Sequence, residues 1–185
     1  GHAAYSDEFL RLLRGESARI IAIRRDPRDI LVSFADWIES RPDYFLSKDF
    51  RGLTREARVE KLLRGGYGSG YKLRPFTKVL QLAQPWIEAN HCALVVSFED
   101  LVGPKGGGSR ERQHRTLARM CEHLGLSMQI DQCLIDRVYG GTLTFNQGRS
   151  ERWLELNSSD LRSEIDENLR EHLRLWGYDG DAIKT

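Results

Sequence analysis

The sequence predicts an α/β fold, a parallel sheet flanked by helices. Two short apolar runs, "RIIAIR" at 19–24 and "CALVVSF" at 92–98, have the length and β-branched content of strands buried on both faces. Amphipathic segments of helical period, bounded by capping residues, lie between and after them. Parallel strands joined by helical crossovers follow from that order. Ligands are then expected where strands end and helices begin.

Each element has its own signal. From Ser6 to Arg14 the chain places Phe9, Leu10 and Leu13 on one helical face, and Gly15 is positioned to stop the helix. After the first strand, Asp26 supplies an N-cap, Pro27 the first helical position and Asp29 an acid in the first turn. That helix runs to about Ser40 on a stripe of Ile30, Leu31, Phe34 and Ile38. The pattern weakens over 41–76, where a helical piece near Arg55 to Arg64 precedes "GGYGSGY", read as a mobile loop and a candidate lid. Another helix is expected over 78–89, before the second strand.

Following "EDLVGPKGGGS", a helix from about Ser109 to His123 carries Leu117, Met120, Cys121 and Leu124, and Gly125 terminates it. The stretch "GPKGGGS" is not a phosphate loop, because its lysine precedes the glycines and does not open a helix against a phosphate. It reads as a connection capped by Ser109. The last helix, Ser159 to Trp176, repeats Leu161, Ile165, Leu169 and Leu173, carries acids early and arginines late, and ends at Gly177.

Composition narrows the function classes. A chain of 185 residues, 40% hydrophobic, supports one core, so 1–185 is read as a single domain. A formal net charge of +1 argues against a nucleic-acid partner and makes any anion site local. Cys92, Cys121 and Cys133 are odd in number and lack CxxC spacing, which points to reduced, buried thiols. No metal is expected, since the 5 histidines and the acids show no ligand spacing. With no signal-type segment or bilayer-length apolar run, no membrane partner is expected and a cytoplasmic location is the default.

The run "RRDPRD" poses the functional question. Arg25 follows a strand and precedes a helix N-terminus, whose free N–H groups and dipole attract anions. Ser33 lies one turn beyond Asp29 on the same side of that helix. By spacing alone, an equal alternative has Arg24 or Arg25 pairing with Asp26 or Asp29 and trimming the turn.

The run Arg25 to Ser33, "RDPRDILVS", resembles the 3′-phosphate-binding segment of the cytosolic-type sulfotransferases that use 3′-phosphoadenosine 5′-phosphosulfate (PAPS). "SFEDLVGPKGGGS" at 97–109 resembles the strand and loop after the lid in bacterial members. "FNQGRSERW" at 145–153 resembles the late glycine-containing segment that closes on the same phosphate, and "GHAAYSDEF" resembles the "GH-x-x-Y" stretch that carries the general base. The resemblance implies a P-loop nucleotide-hydrolase-like sulfotransferase architecture, with PAPS as sulfuryl donor and PAP (3′,5′-ADP) as product. Arg25 and Ser33 would grip the 3′-phosphate, Phe98 would contact adenine, and Gly148 and Arg149 would close on the phosphate. His2 would act as base toward a small-molecule hydroxyl or amine acceptor, an effect typically worth about 10²- to 10⁴-fold. Without the flanking "AAYSDEF", the reading of His2 as a terminal side chain would be favoured.

The chain also departs from that family. Asn146 and Gln147 stand where basic residues usually precede the glycine, leaving Arg149 or Arg152 as substitutes. Phe98 replaces a common tyrosine, so only apolar contact remains. The family's amino-terminal strand and phosphosulfate-binding loop have no counterpart in these residues, so the resemblance covers the portion after that loop. A second expectation is therefore a non-catalytic nucleotide- or anion-binding remnant of the same architecture. Tyr44, Phe45, Phe50, Tyr67 and Tyr71, in the 41–76 segment that would shape the acceptor pocket, are read first as packing that segment against its own body.

Overall fold

The computed structural model describes residues 5–88, 93–139 and 148–179. In chain order the elements are α1 Asp7–Gly15, β1 Ile20–Arg24, α2 Pro27–Glu39, α3 Ser47–Phe50, α4 Arg55–Arg64, β2 Gly66–Tyr67, β3 Lys72–Leu73 and α5 Phe76–Glu88. They continue as β4 Ala93–Ser97, α6 Phe98–Val102, a 3₁₀ turn Gly103–Gly106, α7 Arg110–Leu124, α8 Gln132–Val138, a second 3₁₀ turn Arg152–Glu155 and α9 Ser159–Trp176. The described residues form two compact units. One takes the chain up to Arg25 and from Leu82 to Ser150, the other the chain from Asp26 to Gln81 and from Glu151 onward. No helix among the described residues is long and apolar enough to cross a membrane.

In the first unit β1 and β4 pair in parallel, from Ile20 opposite Ala93 to Arg24 opposite Ser97. Because the strands end in register, the next residues, Arg25 and Phe98, emerge side by side. Beneath the sheet Val96, Leu101 and Leu117 form a buried cluster, with Ile21, Leu94, Met120, Ile130, Ile135 and Val138 packed against it. Ser109 caps α7 as expected, accepting from the Arg112 amide at 3.4 Å, and Gly125 ends it with φ of 70°. The far end of α7 is tied to β1: Arg19 donates to the His123 carbonyl, and His123 Nε2 lies 2.9 Å from the Ile20 carbonyl. A carbonyl only accepts, so this ring carries its proton on Nε2.

Three details correct the expectations. Ile23 is 57% exposed, so β1 is not buried on both faces. A pair of strands gives helices little surface to cover. Cys133 is exposed and Cys121 half-buried, so neither is the buried thiol expected; α8 packs through Ile135 and Val138, leaving Cys133 to solvent. Cys92 lies outside the described residues.

The second unit is built on α2, α4 and α9, which pack on one another. Leu31, Val32, Ala35 and Ile38 of α2, Val59 of α4, and Ile165 and Leu169 of α9 are all 0% exposed. The apolar face of α2 is thus wider than its expected stripe, because two helices bury it. The "GGYGSGY" stretch is an antiparallel hairpin, Gly66 opposite Leu73 and Tyr67 opposite Lys72. Its turn is fastened to α3, with Asp49 accepting from the Ser69 amide at 3.0 Å and the Ser69 hydroxyl at 2.7 Å. Those bonds, with the nearby Tyr71 hydroxyl, lower the Asp49 pKa to about 2. Burial, then Asp49, pushes Tyr71 up to about 12.

Candidate functional site

The strand-to-helix junction that the sequence singles out is built from short-range chemistry. Asp26 caps α2, accepting from the Arg28 amide at 2.9 Å, and takes the Arg28 guanidinium at 2.7 Å. Burial works against the Arg28 charge, but Asp26 and Asp166 outweigh it and raise its pKa above the usual value. Asp29, fully buried, accepts from the backbone amides of Glu151 at 2.7 Å and Trp153 at 3.1 Å.

Arg25 closes the first unit's sheet end. Its guanidinium carbon lies 4.3 Å from the centroid of the Phe98 ring, and Nη2 donates to the Arg149 carbonyl at 2.8 Å. The ring engages the face of the planar fork and the carbonyl engages its edge. Phe98 opens α6, whose cap Ser97 accepts from the Asp100 amide at 3.2 Å. Gly148, just before Arg149, has φ of 61°, a left-handed conformation that glycine adopts without strain. Four of the residues the sequence assigns to a nucleotide, Arg25, Phe98, Gly148 and Arg149, therefore fall in one cluster within one unit.

The remaining assignments fare differently. Ser33 is half-buried on α2, in the second unit. His2, Asn146 and Gln147 lie outside the described residues. Arg152, the other candidate substitute, is 2% exposed and donates to Asp36, which also takes Arg55 at 3.0 Å. A guanidinium so deeply buried needs a carboxylate partner, and here it has one. In the 41–76 segment the aromatic residues do pack on their own unit. Tyr44 meets Trp37 at 4.8 Å and Phe45 at 4.7 Å, Phe45 meets Tyr71 at 5.4 Å, and Phe50 is buried, while Tyr67 is 84% exposed.

Two contributors were not foreseen. Asp29 reads as an ordinary first-turn acid, and only its burial reveals it as the acceptor for the 151–153 backbone. Ser150 donates both its amide and its hydroxyl to the Gly106 carbonyl, each at 2.9 Å, joining the glycine-rich stretch to the late segment. The three consecutive glycines at 106–108 were the available signal, since close backbone approach demands that residue.

Neither a protein-family model nor a curated protein matches the chain. Among solved structures it is similar to mouse sulfotransferase SULT7A1 complexed with PAP, with a TM-score of 0.61 and 16% identity. The match covers 91% of this chain and 66% of that one, so the chain spans about two-thirds of the length of its structural neighbour. A likeness at this identity speaks for architecture. The chain has the α/β fold of a sulfotransferase.

Proposed function

We propose that the chain belongs to an enzyme that transfers a sulfuryl group from PAPS to a hydroxyl or amine of a small-molecule acceptor. The observation that carries this reading is the Arg25 cluster: an oriented guanidinium at the carboxyl end of a parallel strand, beside an aromatic ring and a glycine-containing segment. The fold likeness to a sulfotransferase complexed with PAP supports it.

In this reading Arg25 places positive charge against the 3′-phosphate, where a charge-assisted bond is worth about twice a neutral one. Ser33 adds a hydroxyl to the same phosphate, a role proposed from the "RDPRDILVS" spacing. Phe98 gives adenine an apolar contact, and Gly148 and Arg149 close on the phosphate. The acceptor oxygen or nitrogen attacks sulfur, the bond from sulfur to the 5′-phosphate oxygen breaks, PAP leaves, and His2 takes the acceptor proton. Histidine suits that task near neutral pH. No metal enters the proposed chemistry, and the location proposed is the cytoplasm.

Turnover with PAPS and a panel of phenol, alcohol and amine acceptors tests this, comparing wild type with His2→Ala. His2→Ala should depress turnover by about 10²-fold or more while PAP affinity stays nearly constant, since a base works in the transition state. Turnover within about twofold of wild type would remove His2 from the mechanism. PAP binding with no turnover for any acceptor would favour the non-catalytic remnant.

A further inference from the structure

The glycine-rich stretch 103–108, which the nucleotide reading leaves without a part, closes a circuit of contacts in the first unit. Its 3₁₀ turn follows α6, and the Gly108 amide donates to the Gly103 carbonyl at 2.8 Å, so the stretch folds back on itself. The Gly106 carbonyl takes both the Ser150 amide and the Ser150 hydroxyl at 2.9 Å. A Cβ at Gly106 would sit 2.4 Å from the Gly148 carbonyl oxygen and 2.3 Å from Val102, so only glycine admits this approach. Ser150 follows Arg149, whose carbonyl receives Arg25. Arg25 lies on Phe98, Phe98 begins α6, and α6 runs back into the turn.

We propose that Ser150 is a positioning residue for the nucleotide, with the glycine-rich turn as its support; this rests on the nucleotide reading above. Its two bonds to Gly106 hold the Arg149 carbonyl where that carbonyl sets the direction of the Arg25 fork. Ser150 thus acts on the 3′-phosphate through Arg149 and Arg25. The preference for a 3′-phosphate should accordingly depend on a hydroxyl that serves the backbone.

Isothermal titration of the wild type, Ser150→Ala and Ser150→Thr with PAP and with 5′-AMP tests the proposal. Ser150→Ala should weaken PAP by about threefold to tenfold, the scale of one neutral hydrogen bond, while changing 5′-AMP by less than about twofold. Ser150→Thr keeps the hydroxyl and should restore the PAP preference. An unchanged PAP preference in Ser150→Ala, or an equal loss for both nucleotides, would overturn the positioning role while leaving the nucleotide reading intact. A wild-type chain that does not prefer PAP would overturn both. Should Ser150→Ala not fold, amide hydrogen exchange of the wild type decides. Protection of the Ser150 amide before nucleotide is added supports a preset segment, and protection only after PAP is added refutes it.

Discussion

The guanidinium of Arg25 lies over the ring of Phe98, each residue directly following one of two parallel strands that end in register, Arg24 opposite Ser97. Strand pairing, set by the apolar runs, thereby fixes a contact between side chains 73 positions apart, about the separation that a crossover with several helices spans.

Replacing that ring isolates its part. Phe98→Leu keeps an apolar residue and removes the aromatic face, a loss of about 0.5–1 kcal/mol for a half-exposed cation–π pair. PAP affinity measured by calorimetry should fall by about twofold to fivefold. Unchanged affinity would show that the ring does not matter to the guanidinium's use.

Asp29 anchors the second unit's late segment. Asp29→Ala would leave the amides of Glu151 and Trp153 without their carboxylate in a fully buried place, at a cost of about 2–5 kcal/mol. Urea denaturation should show that loss. Asp166→Ala removes a partner of Arg28 that is 45% exposed, and should cost less than about 1 kcal/mol. Similar costs for the two substitutions would contradict the anchoring role.

The second unit should also lose stability in mild acid. His172 is 3% exposed beside Trp176, and burial holds its pKa below the ordinary 6.5, with Glu171 pulling weakly the other way. The unfolded chain then takes up a proton, as pH falls through 6.5, that the folded chain resists, so unfolding becomes easier below that pH. Urea midpoints at about pH 7.5 and about pH 5.5 should differ more in wild type than in His172→Phe. An identical pH dependence in both would assign the acid sensitivity to other groups.

Helix boundaries were legible wherever a cap was local. Asp26, Ser109 and Gly177 act where the sequence places them, because a cap needs only residues within a turn. The β2–β3 hairpin was not legible: strands of two residues carry no alternation, and Asp49, which orders the turn, lies 20 positions from Ser69. The Arg152–Asp36 pair and the bond from the Glu151 amide to Asp29 were hidden for the same reason, since their partners lie 116 and 122 positions apart. The Arg25–Phe98 contact follows from the pairing of two strands that are each written in a local apolar run.

The central claim is that Arg25 is held to receive a 3′-phosphate. Calorimetric titration of PAP and 5′-AMP into wild type and Arg25→Ala tests it most directly, with Ser33→Ala as a weaker companion. Wild type should bind PAP more tightly than 5′-AMP. Arg25→Ala should lose about 1.5–3 kcal/mol of PAP binding, removing a charge-assisted contact, and should then no longer distinguish the two nucleotides. Ser33→Ala should narrow the preference less. Equal binding of both nucleotides by the wild type would contradict the account, as would an Arg25→Ala chain that melts lower without ligand yet keeps the preference for PAP.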